Sequence, residues 1–195
     1  MKGVSFVTIV QNEEKYIGRL LDSVIPRFKE GLLKEIIVID GVSRDNTVQV
    51  CLEKGVTVVS HSFNLHFGDQ RNFAISLAHY EWILMLDADE VLEEKFWSIL
   101  PSLVEQQEFD VYAFPRKNYI DDVFDEKSYP DYQYRLFRRF CRWIYPVHEE
   151  LVGWRNAKKL DVHIIHAKDT AKLNWCNETL YPLIEKLWKV DTRGN

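Results

Sequence analysis

Short apolar runs alternate with segments of helical periodicity along the first half of the chain. The runs are rich in β-branched residues and are bounded by turn-forming residues, which predicts buried strands. The predicted strands are Ser5–Val10, Glu35–Asp40, Val56–Ser60 and Trp82–Leu86. Apolar residues spaced three and four positions apart predict helices between them. The first predicted helix is capped by Asn12 and ends at Pro26, and the second spans Ser43–Glu53. The third is entered through Gly68, Asp69 and Gln70.

Strands that alternate with helices of about ten to fifteen residues indicate β-α-β units and a mainly parallel sheet. Because these strands are continuously apolar, we expect helices to cover both faces of the sheet. The predicted fold class is α/β, a Rossmann-like three-layer α/β/α arrangement with a mostly parallel central sheet. Ligands of such open sheets bind outside the carboxyl ends of the strands.

The second half of the chain has a less regular pattern. It predicts a helix over Lys95–Val104 and a longer one over Lys168–Val190, which Pro182 kinks or breaks. The longer helix is predicted to bury Leu173, Leu180, Leu183, Ile184 and Leu187. Strands are predicted at Val111–Pro115, Gln133–Arg139 and Asp161–Ile165, and surface loops at Asp121–Asp131 and Arg142–Pro146.

Composition narrows the function by exclusion. The 195 residues carry 25 Lys and Arg against 30 Asp and Glu, for a net charge of −5, and this acidic balance argues against a nucleic-acid binder. The three cysteines, Cys51, Cys141 and Cys176, are too far apart for a CxxC zinc site or a disulfide scaffold. Neither a signal peptide nor an apolar run of membrane length is present, so we expect a cytoplasmic protein.

Asp87 and Asp89 directly follow the fourth predicted strand in an Asp-x-Asp pattern. Two carboxylates leaving a buried strand together are costly without a cation. Oxygen ligands suit Mg²⁺ or Mn²⁺, which proteins hold with one or two carboxylates and substrate phosphates. The alternative is a turn or helix cap, where aspartate is also favoured. Glu90 is predicted to be a solvated or capping carboxylate.

Two further polar residues fall at the same predicted edge of the sheet. Asp40 ends the second strand, where a carboxylate accepts hydrogen bonds from a ribose or base, or else caps the next helix. Arg71 lies near a helix N-terminus, which suits a diphosphate, with a surface salt bridge as the alternative. Neither GxGxxG nor GxxxxGK[ST] occurs, so no dinucleotide site of that type and no P-loop is predicted.

Four segments resemble, in order and spacing, the nucleotide-sugar-binding half of glycosyltransferase family 2, which has the GT-A fold. They are SFVTIVQNEEKYIGRLLDSV, EIIVIDGVSRDNTVQV, FGDQRNFAISLA and EWILMLDADEVL. The resemblance covers about residues 4–95. It continues through RLFRR, VHEEL and HIIHAK, which are similar to a branch of the family whose acceptor half carries a His-Glu pair and a late histidine. It implies one GT-A domain over residues 1–195, with a nucleotide-sugar-binding half at 1–95 and an acceptor half at 96–195.

The resemblance implies which residues hold the donor. Thr8 and the Asn12–Glu13 segment match the family's first loop, which lines the nucleotide. Asp40 matches the carboxylate that contacts the base or ribose, and Arg71 matches the basic residue near the diphosphate.

The resemblance also implies a Mn²⁺ or Mg²⁺ ion. Asp89 matches the direct metal ligand, Asp87 lies nearer the ribose and also belongs to the metal set, and His166 aligns with the late histidine that can complete the metal shell. Residues three apart on a strand face opposite sides, so His163 and His166 would not chelate one ion together. His163 is therefore predicted to be structural.

An inverting transfer needs a base that takes a proton from the acceptor hydroxyl. Glu149 in Val-His-Glu-Glu is the first candidate, with His148 positioning it or contacting the acceptor. Because relatives carry an acidic pair here and this chain has His-Glu-Glu, Glu150 remains an alternative, and Asp131 is an outside candidate. The competing interpretation for each is a solvated loop carboxylate.

Four arginines alternate with apolar residues late in the chain: Arg135, Arg138, Arg139 and Arg142. Alternation would turn some of them toward the cleft, where they could meet the departing diphosphate. An edge strand guarded by charge is one alternative. Contact with an anionic membrane, aided by Trp143, Ile144 and Tyr145, is another.

The predicted function is an inverting, metal-dependent glycosyltransferase that moves a sugar from a nucleoside-diphosphate sugar, with UDP favoured, to a hydroxyl of a saccharide or lipid-linked saccharide. The alternatives are a catalytically weak nucleotide-sugar-binding module and a sugar nucleotidyltransferase. About 100 residues remain for the acceptor half, so we expect an acceptor site that is open or is completed by a partner subunit or a missing segment. Peripheral contact with the inner face of a membrane fits a lipid-linked acceptor.

Overall fold

A large β-sheet carries helices on both faces in the computed structural model, which describes residues 1–189. The helices are α1 (Ile17–Lys29), α2 (Thr47–Glu53), α3 (Phe67–Leu77), α4 (Lys95–Glu105), α5 (Thr170–Trp175) and α6 (Tyr181–Trp188). A π-helical turn, Cys176–Leu180, joins α5 to α6, and a single 3-10 turn spans Glu126–Ser128.

The strands form one ten-stranded sheet and a separate two-stranded hairpin. In chain order they are β1 (Val4–Val10), β2 (Glu35–Asp40), β3 (Val58–Ser60), β4 (Trp82–Met85), β5 (Glu90–Leu92), β6 (Val111–Ile120), β7 (Val123–Phe124), β8 (Asp131–Arg138), β9 (Arg142–Ile144), β10 (Glu150–Val152), β11 (Ala157–Lys159) and β12 (Ile164–Lys168). The main order across the sheet is β3-β2-β1-β4-β8-β6-β12-β5.

The first half of the sheet is parallel and the second half is mixed. Strands β3, β2, β1 and β4 run parallel, as the repeated strand–helix pattern predicts. Strand β8 is antiparallel to both β4 and β6, whereas β12 is parallel to β6 and antiparallel to β5. The predicted α/β class is confirmed, with a mixed sheet in place of a mostly parallel one.

Apolar side chains from the helices cover the two faces of the sheet separately. Leu20 and Leu21 of α1 and Phe96 of α4 are fully buried in the larger cluster on one face. Ala74 and Ile75 of α3 lie in the cluster on the other face. The predicted three layers are therefore present, and the carboxyl ends of β1 and β4 are left free at one edge.

The helix boundaries near that edge differ from the predictions. Asn12 does not cap α1, which begins at Ile17 and continues past Pro26 to Lys29. Asn12 instead has a left-handed backbone, with φ of 56°, and its N–H donates to Ser43 Oγ. Helix α2 begins at Thr47 rather than Ser43, because the preceding N–H groups bond to side chains of the loop.

Several predicted elements of the second half are wrong in kind or position. The predicted loop at 142–146 contains β9, which pairs with β10, and the predicted loop at 121–131 contains β7 and the 3-10 turn. Strand β6 extends to Ile120, and β12 begins at Ile164 rather than Asp161. Cross-strand pairing with distant segments stabilises these strands, and local composition does not report it.

The α-helical hydrogen bonding of the long C-terminal helix is broken just before Pro182, as predicted, although the backbone stays helical through the π-helical turn and into α6. Pro182 lies in the first turn of α6, where a residue without an N–H is tolerated. Leu180 and Ile184 are buried, but Leu183 and Leu187 are 49% and 57% exposed, so their predicted burial is wrong. The predicted last residue of this helix lies outside the described residues. Within residues 1–189, none of the helices is long and apolar enough to cross a bilayer.

Candidate active site

A cavity of about 220 Å³ lies at the carboxyl ends of β1 and β4. Six of the titratable residues singled out from the sequence line it: Glu13, Arg71, Asp87, Asp89, Glu149 and His166. The loop after β1 contributes Glu13, and the turn after β4 contributes Asp87 and Asp89. Helix α3 contributes Arg71. The convergence predicted at the strand ends is present.

Arg71 connects the Asp-x-Asp turn to the segment between β9 and β10. Its Nη1 donates to Asp87 at 2.8 Å and its Nε donates to Glu149 at 2.9 Å. The start of α3 reaches that segment because residue 68 is glycine: a Cβ there would lie 2.6 Å from the carbonyl oxygen of Tyr145. A close backbone approach thus places Arg71 between two carboxylates.

Glu90 is fully buried, so its predicted role as a solvated carboxylate is wrong. Its Oε1 accepts from Arg116 at 2.9 Å and from Arg135 at 2.7 Å, and its Oε2 accepts from the backbone N–H of Asp87. Arg135 also donates to Asp87. Glu90 therefore fixes the two arginines and the Asp-x-Asp turn relative to one another.

Asp89 has a different set of partners from Asp87. Its Oδ2 lies 3.3 Å from Nε2 of His166 and 2.9 Å from Nζ of Lys172. The same ammonium lies 2.7 and 2.9 Å from the two carboxylate oxygens of Glu13. Lys172 belongs to α5, and sequence reasoning assigned it no role.

The hydrogen bonds around Asn118 indicate the tautomer of His166. The side-chain amide nitrogen of Asn118 donates to Ser128 and Asp131, so its oxygen faces His166 Nδ1 at 2.7 Å. That oxygen only accepts, so Nδ1 carries the proton. The Nε2 atom is then the ring nitrogen on the side of Asp89, 3.3 Å from its Oδ2.

Burial and neighbouring charges act in opposite directions on these carboxyl groups. Burial raises the pKa of Asp87, but the guanidinium groups of Arg135 and Arg71 outweigh it and hold the pKa well below its usual range. At Asp89, burial raises the pKa, but His166 and Lys172 lower it more, so this pKa also falls below its usual range. For Glu13 burial wins over Lys172 and raises the pKa to about 7.

A second cavity of about 390 Å³ adjoins the first, and the two share Gln11, Phe63 and Trp175 in their linings. Asn12, Gly41 and further residues after β1 and β2 complete it. It therefore extends the first cavity along the edge of the sheet toward the end of β2.

Asp40 and Thr8 are buried beside this edge rather than lining either cavity. Asp40 Oδ2 accepts from the N–H groups of Val42 and Ser43, which is the capping role left open by the sequence. Its Oδ1 is buried without a hydrogen-bond partner, as is the hydroxyl of Thr8. Both atoms are shielded from the two cavities, so the structure does not bring Asp40 or Thr8 into contact with a ligand there.

The three candidate bases have different surroundings. Glu149 lines the cavity, and Arg71 bonds only its Oε1. Glu150 is exposed on β10, and Asp131 is bonded to Arg116 at the far side of Glu90. His148 is exposed, contacts Glu185 of α6 at 3.3 Å and does not line the cavity.

Only one of the four clustered arginines reaches the carboxylates of the site. Arg135 is buried against Asp87, whereas Arg138 is buried against Glu81 and Trp82 at the opposite end of β4. Arg139 and Arg142 are exposed. His163 is bonded to Glu93 and Tyr129, away from His166, which agrees with its predicted structural role.

The described residues offer a small donor set for a metal. Within residues 1–189, no group of three or more His, Cys, Asp and Glu side chains is arranged to hold an ion. Both oxygens of Asp87 are bonded to guanidinium groups, so Asp87 does not stand with Asp89 and His166 as a free ligand. Asp89 and His166 remain, with Oδ2 of Asp89 3.3 Å from Nε2 of His166 and bonded to Lys172.

Comparison with known proteins gives a family match. The family profile for glycosyl transferase family 2 matches residues 5–163. An uncharacterized glycosyltransferase of Rickettsia typhi is 32% identical over 87% of this chain. The chain spans 55% of that relative's length and 26% of the length of another curated relative.

Solved structures give the same fold. The structure of S. aureus TarS 1-349 in complex with UDP-GlcNAc superposes with a TM-score of 0.66, at 18% identity, over 86% of this chain and 59% of that one. The complex of the same protein with UDP superposes with a TM-score of 0.50, at 26% identity, over 60% of this chain and 36% of that one.

Proposed function

Because the chain belongs to glycosyltransferase family 2, we propose that the protein transfers a sugar from a UDP-sugar to an acceptor hydroxyl and inverts the anomeric configuration. The observation that carries the proposal is one cavity that brings together Asp87, Asp89, Arg71 and Glu149. Asp87, Asp89 and Arg71 suit a diphosphate and its counter-ion, and Glu149 suits an acceptor hydroxyl.

The donor would lie along the two adjoining cavities. The nucleoside fits the cavity lined by Asn12 and Gly41, and Asp40 would hold the loop beside it through the N–H groups of Val42 and Ser43. The diphosphate then reaches Arg71 and Asp89 in the first cavity. The similarity to TarS in complex with UDP supports a uridine nucleotide.

Asp89 and His166 fit a Mn²⁺ or Mg²⁺ ion when a diphosphate supplies the remaining oxygens. Such ions are commonly held by one or two carboxylates plus substrate phosphates. When bound, the ion neutralises the charge that develops on the departing diphosphate. Asn118 holds the proton of His166 on Nδ1 and leaves Nε2 free to coordinate.

Asp87 would act on the donor through hydrogen bonding rather than as a metal ligand. Arg71 and Arg135 hold its carboxylate in place, and Glu90 holds Arg135. A preorganised network of this kind has its hydrogen bonds already oriented before the reaction starts, so it reorganises little as charge moves.

Glu149 is the proposed base. The acceptor oxygen forms a bond to the anomeric carbon while the bond from that carbon to the diphosphate oxygen breaks, and the hydroxyl proton passes to Glu149. Arg71 orients the carboxylate through Oε1 and leaves Oε2 for the hydroxyl. The nucleoside diphosphate departs on the opposite side of the sugar ring, which gives inversion.

The acceptor in this proposal is a saccharide or a lipid-linked saccharide, as in polysaccharide biosynthesis. A lipid-linked acceptor would bring the protein to a membrane surface, and exposed Phe140 lies between exposed Arg139 and Arg142 on one possible contact face. A partner or further segment would complete the acceptor site.

A panel of nucleotide sugars tests the proposal. The protein is incubated with each donor and Mn²⁺, with and without saccharide acceptors, and release of nucleoside diphosphate is measured. We expect release from at least one UDP-sugar. Metal-dependent binding of UDP without hydrolysis or transfer of any UDP-sugar would contradict the proposed activity and favour a binding module.

A further inference from the structure

The ammonium of Lys172 lies where a cation would bind the free carboxylates of the site. It is bonded to both oxygens of Glu13 and to Asp89 Oδ2, all within 2.9 Å. Asp89 Oδ2 is the same atom that faces His166 Nε2. The proposed metal-binding atom is therefore already neutralised by a side chain of this chain.

A lysine ammonium and a divalent ion cannot both occupy this position. An ammonium group only donates hydrogen bonds and has no lone pair to give a metal, so it cannot join the coordination shell of one. The two cations would also repel each other at a separation of a few ångströms. A metal bound to Asp89 Oδ2 and His166 therefore requires the ammonium of Lys172 to leave that oxygen.

The lysine is attached to the segment that closes one wall of the cavity. Trp175, Cys176, Leu180 and Tyr181, from α5, the π-helical turn and α6, line the first cavity. The compartment of about 220 Å³ and the adjoining one of about 390 Å³ together reach the roughly 300–1,000 Å³ usual for ligand sites. Because Lys172 itself lines the smaller compartment, a sugar and a diphosphate that enter it with a metal at Asp89 need this wall to move.

The wall is attached by few buried groups. Among the described residues of the segment, only Cys176, Leu180 and Ile184 are buried. The start of α5 is held by polar contacts, which include Asp169 to Lys15 and Thr170 to Asp121. Because α5 buries no residue, breaking these contacts costs less than breaking a helix from the core.

We propose that Lys172 is a tethered cation that occupies the Asp89–Glu13 position in the donor-free protein, and that metal and donor binding displace it together with α5. The inference rests on the proposed metal-dependent donor site. Displacement of this segment opens the first cavity. The exchange of the Lys172 ammonium for the metal at Asp89 is therefore coupled to the entry of the sugar into the site.

Mn²⁺ titration of the full chain without donor tests the proposal, with paramagnetic resonance reporting free Mn²⁺. Lys172→Met should bind Mn²⁺ about tenfold or more tightly than the parent protein, because the competing cation is gone. Lys172→Arg keeps the charge and should remain close to the parent.

Two matched variants separate competition from general electrostatics. Lys168→Met removes a positive charge from the lining of the same cavity, and Lys54→Met removes one bonded to Asp22 on the surface. Lys168→Met should raise the Mn²⁺ affinity much less than Lys172→Met, and Lys54→Met should leave it unchanged. Equal effects of Lys168→Met and Lys172→Met would overturn the proposal.

Hydrogen exchange supplies a readout that needs no variant. Adding Mn²⁺ and UDP to the parent protein should accelerate exchange in residues 170–188 while it protects the loop after β4. Unchanged or slower exchange in 170–188 would overturn the displacement. If Mn²⁺-dependent UDP binding occurs but Lys172→Met does not bind Mn²⁺ more tightly, the inference fails and the proposed function stands. If no variant binds Mn²⁺ with or without UDP, both fail.

Discussion

Arg71 Nε donates to Glu149 Oε1 at 2.9 Å, which joins the residue proposed to meet the diphosphate to the residue proposed to take the acceptor proton. The same guanidinium is bonded to Asp87, and it is almost completely shielded from solvent. Two halves of the chain, 78 residues apart at this contact, thus share one ionic network at the site.

Removal of Arg71 should destabilise the fold as well as the site. Arg71→Ala leaves the carboxylate of Glu149 without its ion-pair partner and Asp87 with Arg135 alone, which costs about 3–5 kcal/mol in comparable cases. Urea unfolding measures the change in the free energy of unfolding. Arg139→Ala removes an exposed arginine and should change it by less than about 0.5 kcal/mol. Similar values for the two variants would contradict the network.

Matched substitutions of Glu149 and Glu150 test which residue is the base. Glu149→Gln should lower transfer by about 10²–10⁴-fold, because amide nitrogen and oxygen cannot take the hydroxyl proton, while UDP binding stays. Glu150→Gln changes an exposed neighbour and should transfer at the parent rate. Initial rates with the best donor of the panel measure both. A reversed order would move the role to Glu150.

Asn118 should control metal affinity without touching the metal. Asn118→Ala removes the acceptor that keeps the proton of His166 on Nδ1, and loss of such a partner usually costs about 10–100-fold in affinity. Mn²⁺ titration in the presence of UDP measures the loss. Asn156→Ala removes an exposed amide bonded to the carbonyl of Glu108 and serves as the control. Unchanged affinity in Asn118→Ala would argue against His166 as a ligand.

Glu13 should make stability depend on pH. Burial raises its pKa from 4.5 to about 7, so between these values the folded protein holds a proton that the unfolded chain has released. The stabilisation is therefore fully present below about pH 4.5 and is lost as the pH rises through about 7, by on the order of 3 kcal/mol.

Glu13→Gln removes this titration and keeps an oxygen for Lys172. The decline of the free energy of unfolding from about pH 5 to about pH 8 should be smaller in the variant than in the parent. Urea unfolding at several pH values gives both slopes. Identical slopes would show that Glu13 titrates near its ordinary pKa.

Much of the donor side of the site follows from the sequence. Asp87 comes directly after an apolar strand, and Arg71 comes within the first turns of a predicted helix, so β-α-β geometry brings them to one edge. The α/β class and the break before Pro182 follow from equally local signals, which are strand composition and proline position.

The partners of the carboxylates do not follow from local signals. Glu90 looks like a surface residue in sequence, but it is bonded to arginines 26 and 45 residues away, on strands β6 and β8. Lys172 is 83 residues from Asp89. Lys172 belongs to a helix with no distinctive motif, so only the tertiary contacts reveal its position at the site. Because these partners cannot be read from the sequence, the sequence predicts more uncompensated negative charge at Asp87 and Asp89 than the structure contains.

Calorimetric titration with UDP, with Mn²⁺ and with EDTA, tests the donor site most directly. The parent protein should bind UDP only with Mn²⁺, and Asp89→Asn should lose at least about tenfold in affinity, since the neutral amide is a poor metal ligand. Circular dichroism verifies that the variant is folded. Equal binding of UDP in EDTA, or unchanged affinity of a folded Asp89→Asn variant, would contradict a metal-held donor at Asp89.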